Sequence, residues 1–127
     1  MNIEKVIFSF FIVLALTLNF GFYLGEIHNP EHHNVYELFA TIIVNLIATV
    51  LKFGERTQMG AVLLATSLVA DLGLIAAALV WAYAVYVAGT GLTGSVTAVI
   101  VSLAGGALLA NAVSVVLLVV EISLLRR

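Results

Sequence analysis

The sequence predicts an all-α, polytopic membrane protein, with four transmembrane helices in an antiparallel bundle that assembles as an oligomer. Three observations carry this. Of 127 residues, 63% are hydrophobic and only 9% are charged, whereas a soluble domain holds roughly 25% charged and 45–50% apolar residues. Mean hydropathy is +1.20, and so little polar surface cannot cover a water-soluble globule. Four stretches are nearly free of charge over the roughly 20 residues that cross hydrocarbon as a helix. Finally, the five basic residues Lys5, Lys52, Arg56, Arg126 and Arg127 all fall on one side of the membrane if the chain crosses four times. Three or five crossings would split them, against the positive-inside rule.

The first helix is predicted over 6–24 and carries no charge. It follows Lys5 as a secretion signal would, but the bulky run Asn19-Phe20-Gly21-Phe22-Tyr23 offers no small-residue cleavage site. It is therefore read as a retained span. The second helix is predicted over 30–53. Asn29-Pro30-Glu31 supplies an N-cap, a proline at the first helical position and an acid in the first turn. Gly54 is placed to end it as a left-handed C-terminal glycine, with Lys52 favourable at the negative end of the dipole. The third helix is predicted over 59–88, interrupted only by Asp71, and the fourth over 95–125. Both exceed a perpendicular crossing, and long spans tilt, kink or project. The uncharged turn Gly89-Thr90-Gly91-Leu92-Thr93-Gly94 makes them antiparallel neighbours. With no internal repeat and no linker, 1–127 reads as a single transmembrane domain. The rule of basic residues assigns both termini to the cytoplasm of a multi-pass protein of the bacterial inner membrane.

Polar groups inside spans are costly and by default suggest function. Helix two carries His33, Glu37, Thr41, Asn45, Thr49 and Lys52 at spacings of four, four, four, four and three. At 100° per residue they stay within an arc of about 160°, opposite Leu38, Ile42, Leu46 and Phe53. Such a stripe is either interhelical glue or the wall of an ion path. Asp71 lies about 18 Å into helix three, near mid-membrane, one turn after Ser67. A carboxylate there must pair, meet water or take up a proton. Asn111 brings an amide to similar depth on helix four. The candidate ion path is therefore Glu37, Thr41, Asn45, Thr49, Ser67, Asp71 and Asn111.

Small residues at four-residue spacing permit close helix approach. Ser102, Gly106, Ala110 and Ser114 on helix four, and Thr17, Gly21 and Gly25 on helix one, are the expected packing seams. Between helices one and two, Glu26, His28, Glu31, His32 and His33 form a possible outer site for a divalent metal or for pH sensing. There is no HExxH spacing, phosphate-binding glycine loop, G-x-S-x-G elbow or potassium filter. With no cysteine, thiolate chemistry is excluded. No basic cluster exceeds two residues, which argues against nucleic acid as a partner, and no enzymatic activity is expected.

The stretch Leu51-Lys52-Phe53-Gly54-Glu55-Arg56-Thr57-Gln58, followed by GAVLLATSLVADLGL over 60–74, resembles an uncharacterised family of small four-span bacterial inner-membrane proteins. That resemblance covers helices two to four and implies no activity. The small four-span fluoride channels match in length and helix count, and Val44-Asn45 echoes a pair in them. Their glycine-rich GGxxGAxxR segment meets Phe8-Ser9-Phe10-Phe11-Ile12-Val13 here, and Thr66-Ser67-Leu68-Val69-Ala70-Asp71 stands where they carry phenylalanines. That family is not assigned.

Four packed helices leave no lumen for a hydrated ion, so a water-facing stripe on helix two would need several subunits around it. The function expected from sequence is a small homo-oligomeric ion channel, cation-conducting, with membrane lipid around it and a monovalent or divalent cation as its only ligand. The alternatives are an accessory subunit docking a larger membrane transporter through that stripe, and an ion- or proton-coupled carrier using Asp71.

Overall fold

The computed structural model describes residues 3–24, 35–54 and 58–125. Four helices follow one another: α1 (Ile3–Tyr23), α2 (Val35–Lys52), α3 (Gln58–Ala82) and α4 (Gly94–Leu125). All four are long and apolar enough to cross a membrane. In hydrocarbon every backbone polar group must be satisfied within the segment, which leaves an apolar chain of this kind little choice but helix. Each helix packs on its neighbour in sequence, and α1 also packs on α4, closing the ring. The result is an up-down-up-down bundle.

The ends of the helices show how the chain turns. α2 has Glu37 in its first turn and Lys52 in its last, matching the dipole at both ends. It stops in a tightened turn, with Phe53 N donating to Val50 O at 3.2 Å and Gly54 N to Leu51 O at 3.3 Å. Among the described residues only Gly89 and Gly91 have positive φ, at 70° and 71°. Gly54 is therefore not the left-handed cap expected of it, because three-residue bonds already satisfy the last carbonyls. α3 widens into a π-helical turn over Tyr83–Val87, closed by Ala88 N donating to Tyr83 O at 2.8 Å. The two left-handed glycines then reverse the chain. Thr93 caps α4, its Oγ1 accepting from Val96 N at 3.1 Å, a role the sequence reading overlooked.

The core has three layers. Toward the end bearing the Gly89–Gly91 turn, Phe22, Leu38, Leu74, Ala77 and Ile100 pack together, with Phe22 against Trp81 at 6.4 Å between ring centroids. Toward the end bearing the termini, Phe8, Ile12, Leu63 and Leu118 form a second apolar layer. Polar side chains lie between. Leu38, expected on the lipid face of helix two, is instead buried. The face α2 turns outward is Tyr36, Phe39, Ile43, Leu46, Val50 and Phe53.

α3 and α4 make the closest approach. A Cβ on Gly73 would lie 2.9 Å from Leu103 O, so only glycine fits there without separating the helices. The packing role expected of Gly106 does not hold within the chain. Gly106 is exposed, and a Cβ on it would meet nothing within 4 Å. α4 turns Ala104, Ala107 and Asn111 inward instead, roughly 100–160° around the helix from Gly106. Ser102 is exposed, Ala110 half-buried and Ser114 buried. Gly21 is half-buried and faces α2, where a Cβ would lie 3.3 Å from Glu37 Oε2. Gly25 lies outside the described residues.

Candidate functional site: a buried polar layer with an acid and a lysine

Ten polar or charged residues are buried among those described: Asn19, Thr41, Asn45, Thr49, Lys52, Ser67, Asp71, Thr97, Asn111 and Ser114. All but Thr97 belong to the middle layer, and they come from all four helices. The polar stripe of helix two thus faces the inside of its own bundle.

Much of that stripe is satisfied by its own helix. Thr41 Oγ1 donates to Glu37 O at 2.7 Å, Asn45 Nδ2 to Thr41 O at 2.8 Å, and Thr49 Oγ1 lies 2.8 Å from Asn45 O. Hydroxyls and amides four residues apart readily bond back in this way. The four-residue spacing visible in the sequence is the same spacing that closes these bonds. Among the described residues of the stripe, only Glu37 stays half-buried; His33 lies outside them.

The remaining contacts tie helices together. Asn111 Nδ2 donates to Asn19 Oδ1 at 3.0 Å, and Asn19 Nδ2 donates to the backbone oxygen of Ala104 at 3.0 Å. Thr49 Oγ1 lies 2.6 Å from Asp71 Oδ2. Lys52 Nζ donates to Ser67 Oγ and Ser114 Oγ, each at 2.6 Å. Lys52 to Ser114 spans the diagonal of the bundle, so the ammonium sits near its axis.

Two features stand out energetically. Lys52 is only 1% exposed and Asp71 7%. A charged side chain at the centre of a membrane helix costs at least roughly 2.5–3.5 kcal/mol. A lysine near a helix end ordinarily snorkels toward water. Side chains on a helix lean toward its N-terminus, which for Lys52 is back into the bundle, and two serines hold it there. Among the described residues, Asp71 Oδ1 is buried with no hydrogen-bond partner, as is Thr97 Oγ1. Orphaned buried oxygens are rare in native folds and call for an explanation.

The structure therefore brings Thr41, Asn45, Thr49, Ser67, Asp71 and Asn111 of the expected path into one layer. It adds Asn19, Lys52 and Ser114, which the sequence reading left out of the path. Asn19 had a signal, as the only side-chain amide in an otherwise apolar span. Lys52 had one in its register with Thr49 and Asn45. The outer histidine site, Glu26, His28, Glu31, His32 and His33, lies outside the described residues. Among the described residues no cluster of three metal-ligating side chains occurs.

Fold and site together define a multi-pass membrane protein with an ionisable, hydrogen-bonded interior. The sequence profile of a family of unknown function (DUF6394) matches residues 32–122. The chain belongs to that family, and the match spans α2, α3 and nearly all of α4, including Lys52 and Asp71. Comparison with curated proteins and with solved structures finds no match.

Proposed function

We propose that this is an ion-translocating membrane protein that moves protons or small cations through the interior of each four-helix bundle, with Asp71 as the binding group. One observation carries the reading. Among the described residues, Asp71 keeps a buried carboxylate oxygen without a partner, in a layer to which all four helices contribute polar groups. An acid kept only for packing would satisfy both oxygens. Apolar layers close the polar one on both sides. Such constrictions block hydrated ions by excluding water, so this conformation is an occluded one. That suits a carrier, or a channel in its closed state.

The burial of the helix-two stripe moves the path from between subunits to inside the chain. A path between copies built on α2 would be lined by Phe39, Ile43, Leu46 and Val50, which are apolar. For the same reason the stripe is not exposed to dock a larger transporter. Oligomeric assembly is compatible with a path in every chain and is not needed for it.

The test is ion flux into liposomes containing the purified protein. Asp71→Asn keeps size and hydrogen bonding and removes the charge. Flux should fall to the leak of protein-free vesicles, while the emission of Trp81, the only tryptophan, stays that of the folded parent. Parent-like flux from Asp71→Asn would refute the assignment.

A further inference from the structure

Resting on that reading and narrowing it, we propose that the ion Asp71 holds is a proton, and that Lys52 is a resident cation that keeps metal ions out of the site.

The geometry at Thr49 carries the first half. A threonine hydroxyl has one hydrogen and two lone pairs. Thr49 Oγ1 lies 2.8 Å from Asn45 O and 2.6 Å from Asp71 Oδ2, and both neighbours are acceptors when Asp71 is ionised. The single hydrogen can serve only one of them. If it goes to Asp71, the carboxylate is ionised and accepts. If it goes to Asn45 O, Asp71 carries a proton on Oδ2 and donates to Thr49. Uptake of one proton on Asp71 Oδ2, accompanied by rotation of the Thr49 hydroxyl, converts the first arrangement into the second with no movement of heavy atoms. Asp71 Oδ1, buried and unpartnered, is a second place for the same proton. The site thus fits both protonation states of one acid.

The second half rests on what a metal ion would find. Calcium takes six to eight oxygens and magnesium near-ideal octahedral geometry, on the order of six ligands. The hydroxyl oxygens of Ser67 and Ser114 already accept from Lys52 Nζ. Asn19 Oδ1 already accepts from Asn111. A metal cation would have to displace the ammonium from the two serines or lie close to its charge in a low-dielectric interior. A proton neutralises that carboxylate and needs no shell of ligands.

The charged surroundings are few. α2 contributes Lys52, whose ammonium is bonded to Ser67, one turn before Asp71 on α3. α1 contributes Asn19, and α4 contributes Asn111 and Ser114, none titratable; α3 itself adds Ser67. Glu37 stands about 18 Å along α2 from Thr49, and Glu121 about 10 Å along α4 from Ser114. In the binding step a proton from water forms one O–H bond on Asp71 and turns carboxylate into carboxylic acid. Release to the opposite face re-forms the carboxylate, with no electron transferred.

The experiment uses the full chain in phospholipid vesicles, with a trapped pH dye, separate sodium and potassium indicators, and infrared spectra over a pH series. Proton flux should be unchanged when sodium replaces choline outside. Of the carboxylic-acid carbonyl absorption from the seven acidic side chains, the component that belongs to Asp71 should titrate in the parent, be missing from the Asp71→Asn difference spectrum and shift in Asp71→Glu, which retains the acid. Lys52→Met should make flux sensitive to sodium or potassium. Sodium or potassium flux above proton flux in the parent, or displacement of the acid band by sodium, overturns the proton assignment and leaves translocation through the bundle standing. A titrating band without flux of any ion keeps the proton site and overturns translocation. Indifference of Lys52→Met to sodium and potassium overturns the role given to Lys52.

Discussion

Replacing Gly73 by alanine puts a methyl carbon 2.9 Å from the backbone oxygen of Leu103. Ordinary contact begins near 3.4 Å, so the shortfall is about 0.5 Å. The obstacle is a carbonyl fixed in a helix, not the end of a flexible side chain, so α3 and α4 themselves must part. Overpacking of this kind costs about 1–3 kcal/mol. Alanine also favours helix over glycine, by about 0.8–1.0 kcal/mol, which obscures the cost in a single variant. Gly106→Ala supplies the control. It gains the same propensity within α4, and its methyl meets nothing within 4 Å. The propensity term cancels between the two, leaving Gly73→Ala less stable than Gly106→Ala by about 1–3 kcal/mol. The measurement is denaturation by SDS in mixed micelles, followed through Trp81, which packs on Phe22. Equal stability of the two variants, or a costlier Gly106→Ala, would refute the packing drawn here. Because Asp71 is two residues before Gly73, the same clash should displace it from Thr49 and slow ion flux. Gly106→Ala should leave flux at the parent rate.

Three further outcomes are expected. Asn19→Leu strands the Asn111 amide and should cost about 1–3 kcal/mol, and a double-mutant cycle with Asn111→Leu should show a coupling of about 0.6–1.7 kcal/mol; strict additivity would mean the pair does not interact. Thr93→Ala removes the cap on Val96 N and should cost about 0.5–2 kcal/mol, seen as faster amide exchange confined to the first turn of α4. Single cysteines at Thr90 and at Gly54 should label from opposite faces of the membrane, Thr90 from outside; labelling from the same face would overturn the four-span topology.

Much of this architecture was legible before any fold was known. Helices of about the right extent follow from unbroken apolar runs, since a chain in lipid must bond its own backbone. Four spans follow from where five basic residues fall. The identity of most polar participants was legible as well, because Thr41, Asn45, Thr49, Ser67, Asp71 and Asn111 are conspicuous in apolar surroundings. The direction they face was not. Helical spacing shows that Thr41, Asn45 and Thr49 share a side, but says nothing of what lies opposite that side. Both hydrocarbon and a bundle interior are apolar, so the usual contrast between wet and dry faces is missing.

The sequence by itself therefore determined the class of protein, the number of spans, and a polar stripe with an acid at matching depth. Tertiary structure alone decided that the stripe points inward, that Lys52 turns back to Ser67 and Ser114, and that Asn19 joins Asn111. It also decided that Gly73, not Gly106, is where α3 and α4 touch. Each of these depends on how one helix is rotated against another. That rotation is set by the summed fit of many side chains across the interface, and no single residue or spacing records it.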